Sequence, residues 1–293
     1  MSARSLLFVP GDSDRKLAKC ADSGADLIIL DLEDSVAAAQ KGAARLRVGE
    51  FLAAHARQSA PQLWVRISPL DAPESTADLE HVMGFQPAGI VQPKTSSVDD
   101  VVRLGHRLDE LEAQHGLTRG QTGILPIATE TPAAMFSLGG FRRGGARLYG
   151  LTWGAEDLSA AIGSTANKDS QGAWTPPFQL ARSLCLFGAA AAGVAAIDTL
   201  HADYRDAVGL RESCAEARRD GFSGKLAIHR DQVAVINECF MPSAEEVSEA
   251  RRIVALFAAS AGVAALSFEG RMVDIPHLRR AENTLARAAR SKS

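Results

Sequence analysis

With 293 residues, 46% of them apolar and 23% charged, the chain can bury one large α/β barrel core or two modest domains. Its formal charge of -3 leaves no basic footprint of the kind that nucleic-acid or anionic-membrane binding requires, so small molecules are the expected partners. The longest N-terminal apolar run, Leu6 to Pro10, is far short of the ~20 residues of a membrane span. Cys20, Cys185, Cys214 and Cys239 form no CxxC pair, which excludes a zinc knuckle or thioredoxin-like motif and predicts reduced thiols in a cytoplasm or organelle matrix.

Eight short β-rich runs follow one another along the chain, each with a longer stretch of helical periodicity behind it, the pattern of parallel βα units. They are Leu6–Pro10, Asp26–Asp31, Leu63–Ser68, Gly89–Pro93, Gly123–Ala128, Arg147–Thr152, Ala195–Leu200 and Lys225–Ile228. Most are apolar on both faces, as LIILDL and GILPIA show, which fits strands buried under helices. No linker or repeat splits the chain. Beyond the eighth run, Ser243 as N-cap and Glu246 at the capping-box position predict a helix over Pro242–Ala261, and a tail continues to Ser293. The expected architecture is a (β/α)8 TIM barrel over residues 1–262 with a C-terminal helical extension over 263–293.

In such a barrel the active site lies at the C-terminal ends of the strands. Those ends are polar here: Asp31, Glu33 and Asp34 close the second run, Arg66 lies in the third and Lys94 closes the fourth. Glu130 closes the fifth, Gly154, Glu156 and Asp157 follow the sixth, Asp198 ends the seventh and His229 follows the eighth. Each acidic residue alone is more often a helix cap or a surface pair, but together they would repel one another unless a cation lies among them. Two carboxylates with waters are the usual magnesium arrangement, and Glu130 and Asp157, on adjacent strands, are placed to share one ion. Arg66, inside the apolar run LWVRIS, is read either as a carboxylate-binding guanidinium or as the partner of Glu33 or Asp34. Lys94 is read as a paired or solvated lysine rather than an imine former, and His229 as a residue that fixes a loop.

The segment RSLLFVPGDSDRKLAKCADSGADLIILDLEDSV, with WVRISP, GIVQPKTSSVDDV, ATETPAA, GLTWGAEDLSAAIG, AAIDTLHADYRD, GFSGKLAIHRDQV and GRMVDIPH, resembles the citrate lyase beta-subunit-like proteins of the HpcH/HpaI aldolase and citrate lyase superfamily. The resemblance runs from Arg4 to about Ala288. It implies a magnesium-dependent carbon–carbon lyase that cleaves or forms a 3-hydroxyacyl thioester of malyl-, citramalyl- or citryl-CoA type, with coenzyme A or an acyl-carrier protein as the carrier. Alternatives within the superfamily are an aldolase acting on free pyruvate or oxaloacetate and an acyl-CoA thioesterase.

Carried over by motif, Glu130 and Asp157 become the metal ligands, Arg66 the anchor of the keto-acid carboxylate, and Glu33 and Asp34 the holders of metal-bound waters. Gly154, Ala155 and Glu130 then border the substrate. Asp274 of GRMVD resembles an acid/base supplied to a neighbouring subunit, which implies a homo-oligomer, a trimer or hexamer. Arg4, Arg15 and Lys16 are candidates for the coenzyme A diphosphate. Ser68, Arg230 and the pair Phe268–Glu269 depart from the commonest pattern and bear on the substrate.

Overall fold

The runs that are apolar on both faces form a parallel barrel, because only strands covered inside and outside can bury every side chain. The structure is a computed structural model that describes residues 3–55, 61–260 and 262–289. The strands are β1 (Ser5–Pro10), β2 (Leu27–Asp31), β3 (Gln62–Arg66), β4 (Gly89–Gln92), β5 (Gly123–Pro126), β6 (Gly150–Thr152), β7 (Ala195–Asp198) and β8 (Gly224–Ala227). They hydrogen-bond in the order β5-β4-β3-β2-β1-β8-β7-β6. Parallel bridges between Ile124 and Leu148 and between Ile127 and Thr152 join β5 to β6 and nearly close the ring. Each predicted run overlaps its strand, with β1, β3 and β8 beginning one residue before the run. Leu6, Leu27, Ile29, Trp64, Val91, Leu125, Ile197 and Leu226 pack together as the core inside it. A Cβ on Gly89 or Gly123 would lie 2.4 or 2.8 Å from the Trp64 ring, so these two glycines make room for the indole.

The helices of this unit are α1 (Asp14–Cys20), α2 (Lys41–His55), α3 (Glu74–Met83), α4 (Val98–Gln114), α5 (Glu156–Ile162), α6 (Pro176–Ala192), α7 (Ala207–Asp220) and α8 (Arg230–Cys239). The expected helix after β5 is replaced by two 3-10 turns, Pro132–Phe136 and Leu138–Arg143. Pro132 and the pair Gly139–Gly140 deny that segment α-helical propensity.

By compactness the chain divides into residues 1–237 and 238–293. The second unit holds α9 (Ala244–Ala259), the antiparallel strands β9 (Ala265–Phe268) and β10 (Arg271–Asp274), and α10 (Ile275–Ala288). The expected division after residue 262 leaves α9 with the barrel, whereas its Ala250, Ile253 and Phe257 pack with Phe268, Val273 and Ala281 of the tail. Ser243 and Glu246 form the predicted capping box of α9. Ala261, the last residue of the expected helix, and residues 290–293 of the tail lie outside the described residues. The tail carries a hairpin besides its helix. Glu269 and Gly270, at φ 49° and 76°, make its two-residue turn, a geometry that favours glycine at both positions. Glu269 is held there by an ion pair with Arg252.

Two buried charge groups anchor helices to the barrel. Asp198 receives Lys225 Nζ at 2.5 Å, Trp153 Nε1 at 2.8 Å and Arg182 Nε at 3.4 Å. Arg147, just before β6, meets Glu112 and Asp109 of α4 and donates to the Thr122 carbonyl at 3.0 Å, so α4 is tied to the seam between β5 and β6. Burial opposes ionisation of Glu112, but Arg147 and the N–H groups of Thr122 and Gly120 outweigh it and hold the carboxyl at about 2, below its ordinary 4.5. A folded-state value below the unfolded one gives stability that is present above pH 4.5 and lost as pH falls toward 2. Glu112→Gln is therefore predicted to lower the urea midpoint at neutral pH, with a gap to the parent that narrows as pH falls through this window. A gap independent of pH would contradict the assignment.

Candidate active site

Side chains alternate along a strand, so the core positions Ile29 and Trp64 put Asp31 and Arg66 on the same inner face, one step nearer the C-terminal rim. β2 and β3 pair Asp31 with Arg66 directly. Arg66 Nε and Nη2 donate to the two Asp31 oxygens at 2.7 and 2.6 Å, and Nη1 lies 3.0 Å from Glu33 Oε2. The guanidinium carbon sits 4.7 Å from the centre of the Phe8 ring. A guanidinium has five N–H donors, and two on Nη1 and Nη2 remain beyond these contacts. Asp31 also turns the loop after β2, accepting from the N–H of Glu33 at 2.9 Å and of Ser35 at 3.3 Å. Lys41 Nζ closes that loop on the carbonyls of Leu32 and Glu33 at 2.6 and 3.1 Å. Glu33 and Asp34 are thereby presented at the rim.

The segment ATETPAA divides its labour residue by residue. Thr129 Oγ1 accepts from the Gly154 N–H at 3.1 Å, tying the end of β5 to the end of β6. Thr131 caps the turn that Pro132 begins. Between them Glu130 is buried, with one oxygen accepting the Lys94 N–H at 2.5 Å. Burial first, then the charge of Asp157, push the Glu130 carboxyl up to about 8. Asp157 lies in the first turn of α5, where the helix dipole favours a carboxylate. Ala155 is the buried N-cap of that helix. Lys94 Nζ bridges Asp157 Oδ1 at 3.0 Å, Glu33 Oε1 at 2.6 Å and Asp34 Oδ2 at 3.0 Å. Burial opposes its charge, but these carboxylates outweigh it and hold the ammonium well above the ordinary lysine value, which removes the free amine an imine would need.

Lys94 therefore links Glu33, Asp34 and Asp157 to Glu130, Arg66 joins Glu33, and Gly154 borders Glu130. Among the described residues no three His, Cys, Asp or Glu side chains converge to hold a metal by themselves. Glu130 and Asp157 offer a pair of carboxylates, a donor set that with waters would suit a hard cation such as magnesium. A divalent ion would also reverse the repulsion that raises Glu130.

A cavity of about 750 Å³ runs from Arg66, Asp31 and Phe8 to Arg15, Lys16 and Arg230. His229 lines it, its ring tilted against that of Tyr204 with centroids 4.5 Å apart, and accepts from the Asp231 N–H. Ser68 does not line it: its N–H binds Asp78 and its hydroxyl meets Lys41. Arg4 is a correction to the expected diphosphate group. It precedes β1, at the opposite end of the strand from the rim, and its guanidinium is spent on Asp26 at 2.9 and 2.6 Å. Asp198 is a second correction, since it neighbours the core position Ile197 and faces α6 instead of the rim. Asp274 lies in the second unit. There it caps α10, with Oδ1 2.5 Å from His277 Nδ1, a contact that holds its carboxyl below the ordinary range. Lys94, Asp31 and Lys41 are the site-forming residues that sequence reasoning underrated.

A family model described as HpcH/HpaI aldolase/citrate lyase matches residues 4–230. The chain belongs to this family. A second model, described as a C–C bond lyase of the TIM-barrel fold, matches residues 181–290. Among members of the aldolase/citrate lyase family, the citrate lyase subunit beta-like protein of Mycobacterium tuberculosis (strain ATCC 25618 / H37Rv) is 34% identical over 291 residues, covering 98% of this chain and 96% of that one. Mitochondrial citramalyl-CoA lyase of Rattus norvegicus is 31% identical over 307 residues, covering 99% and 87%. The crystal structure of CitE from M. tuberculosis in complex with magnesium, acetoacetate and coenzyme A matches with a TM-score of 0.80 at 33% identity, over 98% of both chains. No helix among the described residues is long and apolar enough to cross a membrane.

A Cβ on Gly154 would approach Glu130 Cγ to 3.0 Å and Oε1 to 3.2 Å. Gly154→Ala is predicted to displace the Glu130 carboxylate by a few tenths of an ångström, leaving the melting temperature almost unchanged and lowering turnover by ~10-fold or more. Parental turnover in a folded Gly154→Ala variant would show that Glu130 has no positional role.

Proposed function

We propose that the chain is a magnesium-dependent carbon–carbon lyase that cleaves a 3-hydroxyacyl-CoA of malyl, citramalyl or citryl type into a keto acid and an acyl-CoA, or joins them. The observation that carries this reading is that Arg66, which lines a cavity running to Arg15, Lys16 and Arg230, also meets Glu33, which Lys94 joins to Asp157 and Glu130. The named activity of the citramalyl-CoA lyase relative and the magnesium and coenzyme A in the CitE complex support it.

Glu130 and Asp157 would hold a divalent ion, which would supply Lewis-acid polarisation to the substrate oxygen that becomes the ketone. Arg66 offers its two remaining N–H groups to the carboxylate of the keto-acid portion, while Asp31 fixes the guanidinium plane. Glu33 and Asp34 border the same position and accept from water there. Gly154 and Ala155 give the substrate backbone rather than side-chain bulk to pack on. Arg15, Lys16 and Arg230 face the diphosphate at the other end of the cavity. As the ketone forms, the hydroxyl proton passes to water held by Glu33 and Asp34. Breaking the carbon–carbon bond leaves its electron pair on the α-carbon of the acyl thioester, and Asp274 in its protonated form delivers a proton to that carbon or, as the carboxylate, removes one in the joining direction. We assign this Asp274 to a neighbouring copy, which donates it on the unit of residues 238–293 to the barrel, in a homo-oligomer of three or six chains. Free thiols at Cys20, Cys185, Cys214 and Cys239 support a cytoplasmic setting.

The test incubates purified protein and magnesium with malyl-, citramalyl- and citryl-CoA, and reads keto acid and free thiol separately. Keto acid without free thiol, abolished by EDTA and lowered ~10²-fold or more by Glu130→Gln or Asp157→Asn, is the expected result. Free thiol alone would replace the lyase reading by thioester hydrolysis, and undiminished turnover in both variants would remove the metal assignment.

A further inference from the structure

Lys94 touches every carboxylate of the acidic cluster that Arg66 leaves unsatisfied. Its backbone N–H donates to Glu130 Oε2 at 2.5 Å. Its ammonium reaches Glu33 Oε1 at 2.6 Å, Asp34 Oδ2 at 3.0 Å and Asp157 Oδ1 at 3.0 Å. These four carboxylates arrive on three separate pieces of chain: the loop after β2, the end of β5 and the first turn of α5. Nothing in the local sequence holds those pieces at a common distance, so a residue that binds all three sets their spacing. An ammonium suits that task, being a compact charge with three donors for three acceptors.

The backbone at Lys94 bears a cost for this placement. Its φ of 50° lies in the left-handed region, which is unfavourable for a residue with a side chain. Glycine would adopt that conformation freely, but would bring no cation. The charge balance is also incomplete. Asp31, Glu33, Asp34, Glu130 and Asp157 face the two cations Arg66 and Lys94, which leaves the cluster negative and receptive to a further cation. Asp157 is the carboxylate at issue, since it is one of the two proposed ligands and its Oδ1 is occupied by Lys94.

We propose that Lys94 is a positioning residue that acts as the built-in counter-cation of the acidic site and surrenders Asp157 to the divalent ion. This rests on the reading that Glu130 and Asp157 hold that ion. Lys94 sets the spacing of the carboxylates before the ion arrives, and its charge competes with the ion for one of them. The lysine thereby trades metal affinity for a site that is ordered without metal.

The test uses the full chain and magnesium chloride alone, without substrate. Thermal unfolding is followed in EDTA and in saturating magnesium, and magnesium affinity is measured by calorimetry, for the parent, Lys94→Met and Lys94→Arg. Lys94→Met is expected to lose several degrees in EDTA, to recover most of them with magnesium, and to bind magnesium ~5-fold or more tightly than the parent. Lys94→Arg should fall between the two. An unchanged melting point in EDTA, or magnesium binding that is unchanged or weaker in Lys94→Met, overturns the proposal. Should Lys94→Met fail to fold in EDTA, the added substitution Asp34→Asn decides: recovery of folding upholds a counter-charge role, and no recovery overturns it. A parent that binds no magnesium would sink the metal reading and the surrender of Asp157, while the EDTA melting points still decide whether Lys94 is the counter-cation.

Discussion

Carboxylates within a few ångströms of one another stay ionised only when cations are interleaved among them. This constraint governs the rim of the barrel. Arg66 settles Asp31 and shares Glu33, and Lys94 takes Glu33, Asp34 and Asp157. Glu130, buried with one backbone donor and a neighbouring negative charge, is the carboxyl left in conflict. A site with a raised acid beside a partly satisfied one is prepared for the divalent ion proposed above. The rest of the unit serves that preparation: Thr129 locks β5 to β6, Lys41 locks the loop after β2, and Arg147 secures the seam of the barrel below them.

Much of this was legible in the sequence. The eight strands were readable because burial on both faces makes each run continuously apolar, and the rim acids because they interrupt apolarity at the run's end. Side-chain direction was legible only in part. Asp31 and Arg66 share the parity of the core residues Ile29 and Trp64, while Asp198 adjoins the core residue Ile197 and so turns outward to Arg182 and Lys225. Applying the two-residue period to each strand end would have separated them. Arg4 misled because a cation beside a strand says nothing about which end of the barrel it occupies. Its pairing with Asp26 is a contact across two strands that local pattern does not encode.

Other features depend on backbone geometry that residue types hide. Lys94 after Pro93 reads as an ordinary strand end, and its left-handed φ emerges only with the fold. The hairpin of the tail was missed because Glu269 stands at a turn position that favours glycine, with Arg252 supplying the compensation. Asp274 has a structural duty as the cap of α10 in addition to the acid/base role proposed for it. That duty fixes the carboxylate relative to its own helix, a requirement for any group that must meet a carbon atom.

The central claim is that one divalent ion is held by Glu130 and Asp157. Manganese, which shares magnesium's preference for oxygen ligands, makes that ion visible by electron paramagnetic resonance. Titrating manganese into the parent and into the double variant Glu130→Gln/Asp157→Asn measures bound against free ion directly. The account predicts one tightly bound ion per chain in the parent, displaced by magnesium, and only free ion in the folded double variant. Equal binding in both proteins would contradict it.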